Sequence, residues 1–525
     1  MMRVYYITQK TIKILLLITV VAILGIAAWD AWHTHVAQGP HYNDVTPLLP
    51  SAVSERTEGL DHYTIDVSLD AQNHKLHAVQ TVIYTNKENT ALRELYFHLY
   101  PNAYRSQGTA PFENQDMAMA YPNGFSAGGI DIKSVNIDGK PVSFEVTGQD
   151  NTAMKLILPS SLQSGGKLQI DMEYDIILPN SVGRFGYGDY TFNITNWYPI
   201  LAVYDKGGWH TDPYYAIGDP FYSDMADYDV TITAPSSFTI ASTGAITGTD
   251  KQGDKQRWTV SAKAVRDFAW VASDDFSVLQ KQIGDTMVSS YHFSRQSGQK
   301  ALEYASDALS IFNDTFGLYP YGQFSVVQAD FFIGGMEYPN LVMIDQSLYT
   351  SMTRDILEYV VVHETAHQWW YSVVGNDEVN EPWLDEALAE YSTIMYFEKK
   401  YGQEVKDNVL NNMVKAKYNT LDQYISQGET NEAILRPVYE FENEYVYDIL
   451  VYGKGAMMLD ALRQKVGNDA FDNILKEYYK ERAFTIATTQ DFIEISKKIS
   501  KMELDDFFEE WLMPQGDDQM YILVS

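Results

Sequence analysis

Two histidines four residues apart, with a glutamate directly after the first, constrain this chain more than any other feature of its sequence. His363 and His367 are separated by one helical turn, and residues at that spacing lie on the same face of an α-helix, so both imidazoles can reach one ion. Glu364 lies one position further round, where a carboxylate can act as a base on an activated water. The apolar residues around this segment predict a long helix from Asp355 to Val374.

A third metal ligand is expected in the acidic segment that follows. A catalytic zinc takes three protein ligands and keeps a fourth position open. Pro382 is well suited to the first turn of a new helix, which can present a carboxylate to the two histidines. From the residues alone the candidates are Glu378, Glu381, Glu386 and Glu390. The histidine pattern also arises by chance, and the alternative is a surface helix with two solvated histidines.

The spacing of these residues resembles that of a known family. His-Glu-x-x-His, then eighteen residues, then Glu386 resembles the signature of the aminopeptidase-N family of gluzincin zinc metallopeptidases. The resemblance implies a thermolysin-like α+β catalytic domain and one Zn²⁺ ion bound by His363, His367 and Glu386. It also implies Glu364 as the general base. Glu390, one turn after Glu386, is a candidate partner for a zinc-binding histidine, and its alternative is a solvated surface glutamate.

Residues 334–338 resemble the family's Gly-x-Met-Glu-Asn exopeptidase motif. The glutamate of that motif binds the free α-amino group of the substrate, which implies Gly335, Met336 and Glu337 as substrate-binding residues. A carboxylate paired with an ammonium group fixes which peptide bond is presented to the metal. The sequence departs from the motif at Tyr338, where the family has Asn.

Residues 452–455, Tyr-Gly-Lys-Gly, resemble the family's Tyr-x-Lys-Gly motif. The tyrosine of that motif stabilises the tetrahedral oxyanion, which implies Tyr452 as a catalytic residue beside Glu364. The chain contains 38 tyrosines, so the Lys-Gly context is what selects this one.

Alternation of apolar and polar residues is the main pattern up to about Val278. It is clearest over residues 63–69, 168–174 and 228–234, and a period of two is typical of half-buried strands. It predicts an antiparallel β domain over residues 59–278.

The remaining residues, 279–525, are predicted to form the thermolysin-like catalytic domain with a mostly helical C-terminal part. Helical periodicity over residues 299–316 supports this assignment. The chain stops shortly after Leu512, so we expect the large C-terminal helical domain of many family members to be absent. The second acidic residue that helps to bind the substrate amine in classical members has no clear counterpart, and Asp189 and Glu113 are the only candidates.

The N-terminal residues indicate a membrane anchor. Basic residues precede an apolar run, and acidic sequence follows it, which favours a cytoplasmic N-terminus and an extracytoplasmic catalytic domain in a single-pass protein of the cell membrane. The predicted segments are a cytoplasmic tail (1–11), a transmembrane helix (12–31) and a stalk (32–58). The alternative is a signal peptide that is removed.

The charge of the chain limits its partners. With 38 basic and 70 acidic residues, the formal charge is −32, which repels phosphate backbones, so nucleic-acid binding is not expected. The same charge attracts peptides with a free amino terminus. The chain has no cysteine, which excludes disulfides and thiolate metal ligands.

The leading hypothesis is therefore zinc-dependent hydrolysis that releases N-terminal residues from peptides. The alternatives are a gluzincin endopeptidase, in which Glu337 binds the substrate elsewhere, and a catalytically silent, membrane-tethered binding module. The sequence gives no indication of oligomeric state.

Overall fold

The computed structural model describes residues 45–421 and 431–513 of the 525-residue chain. The predicted cytoplasmic tail, the transmembrane anchor and the first part of the stalk lie outside the described residues, so these assignments stay predictions. Within the described ranges, no helix is both long enough and apolar enough to cross a membrane.

The N-terminal part of the described chain is rich in β-strands. Their bounds are β1 Asp61–Asp70, β2 Lys75–Thr85, β3 Leu92–His98, β4 Gly129–Ile137, β5 Lys140–Pro141, β6 Phe144–Thr147, β7 Ala153–Leu162, β8 Lys167–Ile177, β9 Gly186–Tyr187, β10 Phe192–Ile194, β11 Ile200–Leu201, β12 Tyr204–Asp205, β13 Gly208–Trp209, β14 Ala226–Pro235, β15 Thr239–Ser242, β16 Ala245–Gln252, β17 Lys255–Val265 and β18 Trp270–Ser273. The three alternating segments predicted as strands are confirmed as β1, β8 and β14.

The largest sheet has the strand order β16-β17-β14-β1-β2-β8-β4-β5, and two four-stranded sheets have the orders β15-β18-β10-β9 and β11-β3-β7-β6. In β1, Tyr63, Ile65, Val67 and Leu69 are buried and the residues between them are less so, because successive side chains point to opposite faces of a sheet. Pairing within the largest sheet is antiparallel except between β1 and β14, which are parallel. The alternation of residues within one strand does not predict that β1 and β14 are parallel, because a parallel pair requires a long connection between its two strands.

The C-terminal part combines a small sheet with helices. Its strands are β19 Ser277–Ile283, β20 Thr286–His292, β21 Gln323–Ala329, β22 Gly335–Met336, β23 Leu341–Asp345, β24 Val374–Gly375 and β25 Thr485–Ile486. The α-helices of the described chain are α1 Met117–Ala120, α2 Arg295–Thr315, α3 Arg354–Ala366, α4 Trp383–Tyr401, α5 Gln403–Val409, α6 Ala416–Tyr418, α7 Glu444–Asp448, α8 Gly455–Val466, α9 Asn468–Arg482, α10 Thr489–Ser500 and α11 Asp505–Leu512. Two π-helical turns span Leu410–Lys415 and Ile449–Lys454, and 3₁₀ turns span Pro50–Ala52, Tyr100–Arg105, Gln346–Leu348 and Val438–Glu440.

The small sheet has the order β19-β20-β21-β23-β22. Strands β20, β21 and β23 are parallel, and the edge strand β22 is antiparallel to β23. Helix α2 packs on β19 and β20 and against α3, which in turn packs against α4. Strand β18, which ends at Ser273, belongs to a sheet of the β-rich part, and the next strand, β19, begins at Ser277 in the small sheet. This change lies close to the domain boundary predicted after residue 278, and that boundary stays a prediction.

Helix α3 ends at Ala366, so the prediction that it continues to Val374 is wrong. The chain reverses at Tyr371, whose φ of 111° is in the region that normally favours glycine. Contacts from the N-terminal part stabilise this conformation: the buried Arg266 donates from Nε to the Tyr371 carbonyl, and the Tyr371 hydroxyl donates to Asp267. The apolar pattern of residues 367–374 did not reveal the end of the helix because these contacts come from residues more than a hundred positions earlier.

Candidate active site

Three of the predicted ligands converge where α3 ends and α4 begins. Helix α3 carries His363, and His367 is the residue that directly follows the helix. Helix α4 carries Glu386 in its first turn, and Pro382 lies immediately before that helix with φ of −64°. Proline holds φ near this value, which is also that of a helix, so the sequence itself defines where the ligand-bearing helix starts.

The ligand atoms have the separations expected around one zinc ion. The Nε2 atoms of His363 and His367 are 3.0 Å apart, and Glu386 Oε2 lies 3.4 Å and 3.2 Å from them, respectively. Tetrahedral zinc with bonds of about 2.0–2.1 Å separates its ligand atoms by about 3.3 Å. Glu386 Oε2 is buried and has no hydrogen-bond partner, so it is available to a cation. The three residues present therefore fit one Zn²⁺ ion.

The far side of each imidazole also has a partner. His367 Nδ1 lies 3.1 Å from the Trp370 carbonyl oxygen, an acceptor that leaves Nε2 free for a metal. His363 Nδ1 lies 3.2 Å from Glu390 Oε2, which is the position expected of a carboxylate that orients a zinc-binding histidine. The Tyr359 hydroxyl donates to the other oxygen of Glu390, a contact that the sequence did not suggest.

Glu364 is buried beside the two histidines. Burial raises the pKa of its carboxyl to about 7, although His363 and His367 act in the opposite sense. A side chain at Gly335 would meet Glu364 directly, because a Cβ there would lie 2.1 Å from Glu364 Oε1. The glycine therefore allows the edge strand β22 to approach the predicted base closely.

Glu337 lies at the end of β22 and is 3 % exposed, with no hydrogen-bond partner at Oε1. Carboxylate oxygens of Asp219, Glu337 and Glu386 all lie within 4.8 Å of one another. Burial, followed by the charges of Asp219 and Glu364, raises the pKa of Glu337 well above its usual value. Burying several carboxylates together is unfavourable unless a cation lies among them. Such a group therefore favours binding of a metal ion or of an ammonium group.

Asp219 is the site residue that sequence reasoning missed. It comes from the loop between β13 and β14, and Arg184 pairs with it from another loop of the β-rich part. Neither loop carries a pattern that points to the site. The candidates considered from the sequence lie elsewhere: Asp189 is exposed, Glu113 accepts a hydrogen bond from the Glu444 N–H, and neither lines the cavity within the described ranges.

Met336 is the predicted site residue that does not line the cavity. Its side chain is buried, and its Sδ accepts a hydrogen bond of 3.2 Å from Arg184 Nε. Its predicted contact with substrate stays a prediction.

Tyr452 is placed over the metal ligands by the π-helical turn Ile449–Lys454. Its ring stacks on that of His363 with centroids 5.6 Å apart, and its hydroxyl donates to Glu386 Oε1 over 2.5 Å. Such turns are rare and occur frequently at functional sites.

These residues line a cavity of about 570 Å³. The lining includes Gly334, Gly335 and Glu337 together with the three metal ligands, Glu364 and Tyr452. Residues of the segments 413–417 and 444–453 also contribute to the lining. The volume is in the range of small-molecule and peptide sites.

Two histidines and a glutamate on consecutive helices, with a buried glutamate beside them, define a gluzincin-type metal centre. Residues 300–511 match the peptidase family M1 domain, which confirms the resemblance to the aminopeptidase-N family.

Related proteins support this assignment. The chain is 25 % identical to aminopeptidase M1-C of Oryza sativa subsp. japonica over 228 residues, 42 % of this chain and 26 % of that protein. It is 21 % identical to probable aminopeptidase 2 of Sulfurisphaera tokodaii over 412 residues, 76 % of this chain and 50 % of that protein. The chain thus spans about a quarter of the length of the first of these relatives.

The fold is shared with a solved structure. The M1 zinc metallopeptidase from Deinococcus radiodurans superposes with a TM-score of 0.61 at 18 % identity, covering 86 % of this chain and 93 % of that one. Like that protein, the chain combines a β-rich N-terminal part with a helical C-terminal part.

Proposed function

We propose that the protein is a zinc-dependent aminopeptidase that releases single residues from the N-terminus of peptides. The observation that carries the proposal is the position of Glu337 and Asp219, whose carboxylate oxygens lie within 4.8 Å of a ligand oxygen of Glu386. The amino nitrogen of a peptide lies only about 2.5 Å from the carbonyl carbon of the same residue. An ammonium bound by Glu337 and Asp219 therefore leaves room for one residue before the scissile bond.

Zinc, when bound, supplies Lewis-acid polarisation of the scissile carbonyl and makes water nucleophilic near neutral pH. Glu364 takes the proton of the attacking water and passes it to the leaving amine. Tyr452 moves its hydroxyl from Glu386 to the developing oxyanion. Glu390 and the Trp370 carbonyl hold the two imidazoles in orientation. A thermolysin-like catalytic domain over residues 279–525, following a β domain over 59–278, provides the framework.

We also propose that the protein acts outside the cytoplasm, tethered by the helix predicted over residues 12–31. The basic residues before this apolar segment support that orientation. Protease protection of the N-terminus in intact cells, with digestion of the remainder from outside, is the expected result. Recovery of all activity in the soluble fraction would contradict the tether.

The Glu337→Gln variant tests the aminopeptidase assignment. Because the neutral amide loses a charged hydrogen bond to the substrate ammonium, kcat/KM for a peptide with a free N-terminus should fall about 100-fold. The wild-type enzyme should not cleave the N-acetylated form of the same peptide. Glu145→Gln, on the exposed strand β6, is the matched control and should change neither rate.

Equal cleavage of free and acetylated peptides by the wild-type protein would favour the endopeptidase alternative. Absence of both zinc binding and cleavage would favour the silent binding module.

The Tyr452→Phe variant tests the oxyanion role. Removing the hydroxyl should lower kcat about 10²–10³-fold, while KM changes little, because the lost contact forms only in the transition state. Steady-state kinetics on one peptide separates the two constants. Tyr439→Phe, at a half-exposed position outside the cavity lining, is the control. A change confined to KM would remove Tyr452 from this role.

A further inference from the structure

Arg184 is a buried arginine that contacts both of the segments from which the two amine-binding carboxylates come. It lies in the loop between β8 and β9, and its Nη2 donates to the Asp219 side chain and, over 3.1 Å, to the Gly218 carbonyl oxygen. Its Nε donates over 3.2 Å to the sulfur of Met336, the residue directly before Glu337. The donors of a guanidinium group have a fixed planar geometry, so contacts to both segments restrict their separation.

The main chain of Arg184 is held from the same direction. The Thr195 hydroxyl donates over 2.7 Å to the Arg184 carbonyl oxygen, and the Tyr338 hydroxyl donates over 2.7 Å to Thr195 Oγ1. All three residues are buried. Tyr338 directly follows Glu337 and is the position at which the sequence departs from the family's motif. Residues on both sides of Glu337 are therefore linked to Arg184, Met336 directly and Tyr338 through Thr195.

The charge of Arg184 also suits a site for one ammonium group. Among the described residues that line the cavity, Arg184 and Lys417 are the only arginine or lysine, and Lys417 forms an ion pair with Asp448. Two buried carboxylates as close as those of Asp219 and Glu337 repel each other unless a cation lies beside them. Arginine stays protonated in proteins, so it offsets one of the two negative charges and leaves one for the substrate amine.

From these contacts we infer that Arg184 is a positioning residue for the amine site, defined here as the carboxylates of Asp219 and Glu337. Arg184 holds the two carboxylates at the separation at which both reach the same ammonium group, and Tyr338 supports it through Thr195. The inference rests on the proposed aminopeptidase function and adds a residue to it. Because Arg184 acts through Asp219 and Met336, its loss should weaken recognition of the free amine and leave the metal centre intact.

The test compares two ligands of the full-length, zinc-loaded protein, leucine hydroxamate and 4-methylpentanohydroxamic acid. Both carry a hydroxamate that binds zinc, and only the first has an α-amino group. The ratio of their calorimetric Kd values therefore measures the amine site separately from the metal centre. We expect leucine hydroxamate to bind the wild-type protein about 100-fold more tightly, because its ammonium makes charged hydrogen bonds that the analogue lacks.

Arg184→Met should reduce this ratio about tenfold or more, because Asp219 and Glu337 no longer hold a common geometry. The Kd of 4-methylpentanohydroxamic acid should change less than about twofold, whereas a general structural disturbance would weaken both ligands. In the double variant with Glu337→Gln, the ratio should be close to that of Glu337→Gln alone, since residues that act as one unit are not additive.

Two further variants complete the comparison. Tyr338→Phe keeps the buried ring and removes only the hydroxyl, so it should reduce the ratio about threefold through Thr195. Arg257→Met is the matched control: Arg257 lies on β17 with a side chain that is 43 % exposed and does not line the cavity, so the ratio should equal that of the wild type.

An unchanged ratio in Arg184→Met, with normal binding of the analogue, would refute the positioning role and leave the aminopeptidase function standing. If Arg184→Met bound neither ligand, Tyr338→Phe would decide, and an unchanged ratio there would refute the role. A wild-type ratio close to one would refute the amine site itself, and with it both proposals.

Discussion

Glu364→Gln is expected to lower kcat about 10³–10⁴-fold and to leave zinc binding intact. The amide has nearly the shape of the carboxylate but cannot accept the proton of water, and general-base catalysis contributes rate factors of this size. Glu364 is not one of the three ligands that converge on the metal position, so metal analysis should still find one zinc per chain.

Asp355→Asn provides the control for this variant. Asp355 lies on the same helix but is almost fully exposed, so the same loss of one carboxylate charge should leave kcat unchanged. If Glu364→Gln retained more than about a tenth of the wild-type kcat, Glu364 would not be the general base.

Glu386→Ala is expected to have the second large effect, on metal affinity and through it on activity. If about 10–16 kcal/mol of zinc binding is shared among four ligands, the loss of one corresponds to a weakening of about 10²–10³-fold. Burial opposes ionisation, but His367 and His363 hold the pKa of Glu386 below its usual value, which keeps the carboxylate ready for a cation near neutral pH. Zinc titration against a competing chelator measures the affinity directly.

Thermal unfolding gives a second measurement that is independent of catalysis. Zinc should raise the Tm of the wild-type protein, because a ligand that binds only the folded state stabilises it, and it should raise the Tm of Glu386→Ala much less. Glu404→Ala, at an exposed position on α5, should respond like the wild type. Wild-type zinc affinity in Glu386→Ala would mean that the third ligand is another residue.

The separate positions of Glu386 and Glu390 show how far motif spacing predicts a site. One turn of α4 separates them, so helical geometry accounts for their positions relative to each other, whereas their approach to the histidines of α3 depends on how the two helices pack. The same holds for β1, β8 and β14, where alternation along the chain was enough to predict a strand. These features depend on residues close together in sequence.

Asp219 and the end of α3 show where such prediction fails. Asp219 reaches the site only because loops from the β-rich part, which carry it and Arg184, fold against the helices. Helix α3 ends at Ala366, and in the segment that follows Arg266 contacts the Tyr371 carbonyl and Asp267 accepts from the Tyr371 hydroxyl. Neither effect leaves a periodic signal, since the partners are remote in the chain.

The sequence by itself determined that His363 and His367 share one face of a helix, because residues four apart lie one turn above each other. The choice of Glu386 among the four candidate glutamates came from the resemblance to the family. Only the tertiary structure decided that Asp219, paired with Arg184, joins Glu337 beside the metal ligands. Those contacts are made between segments that are far apart in the chain, and their positions follow from packing of the whole fold.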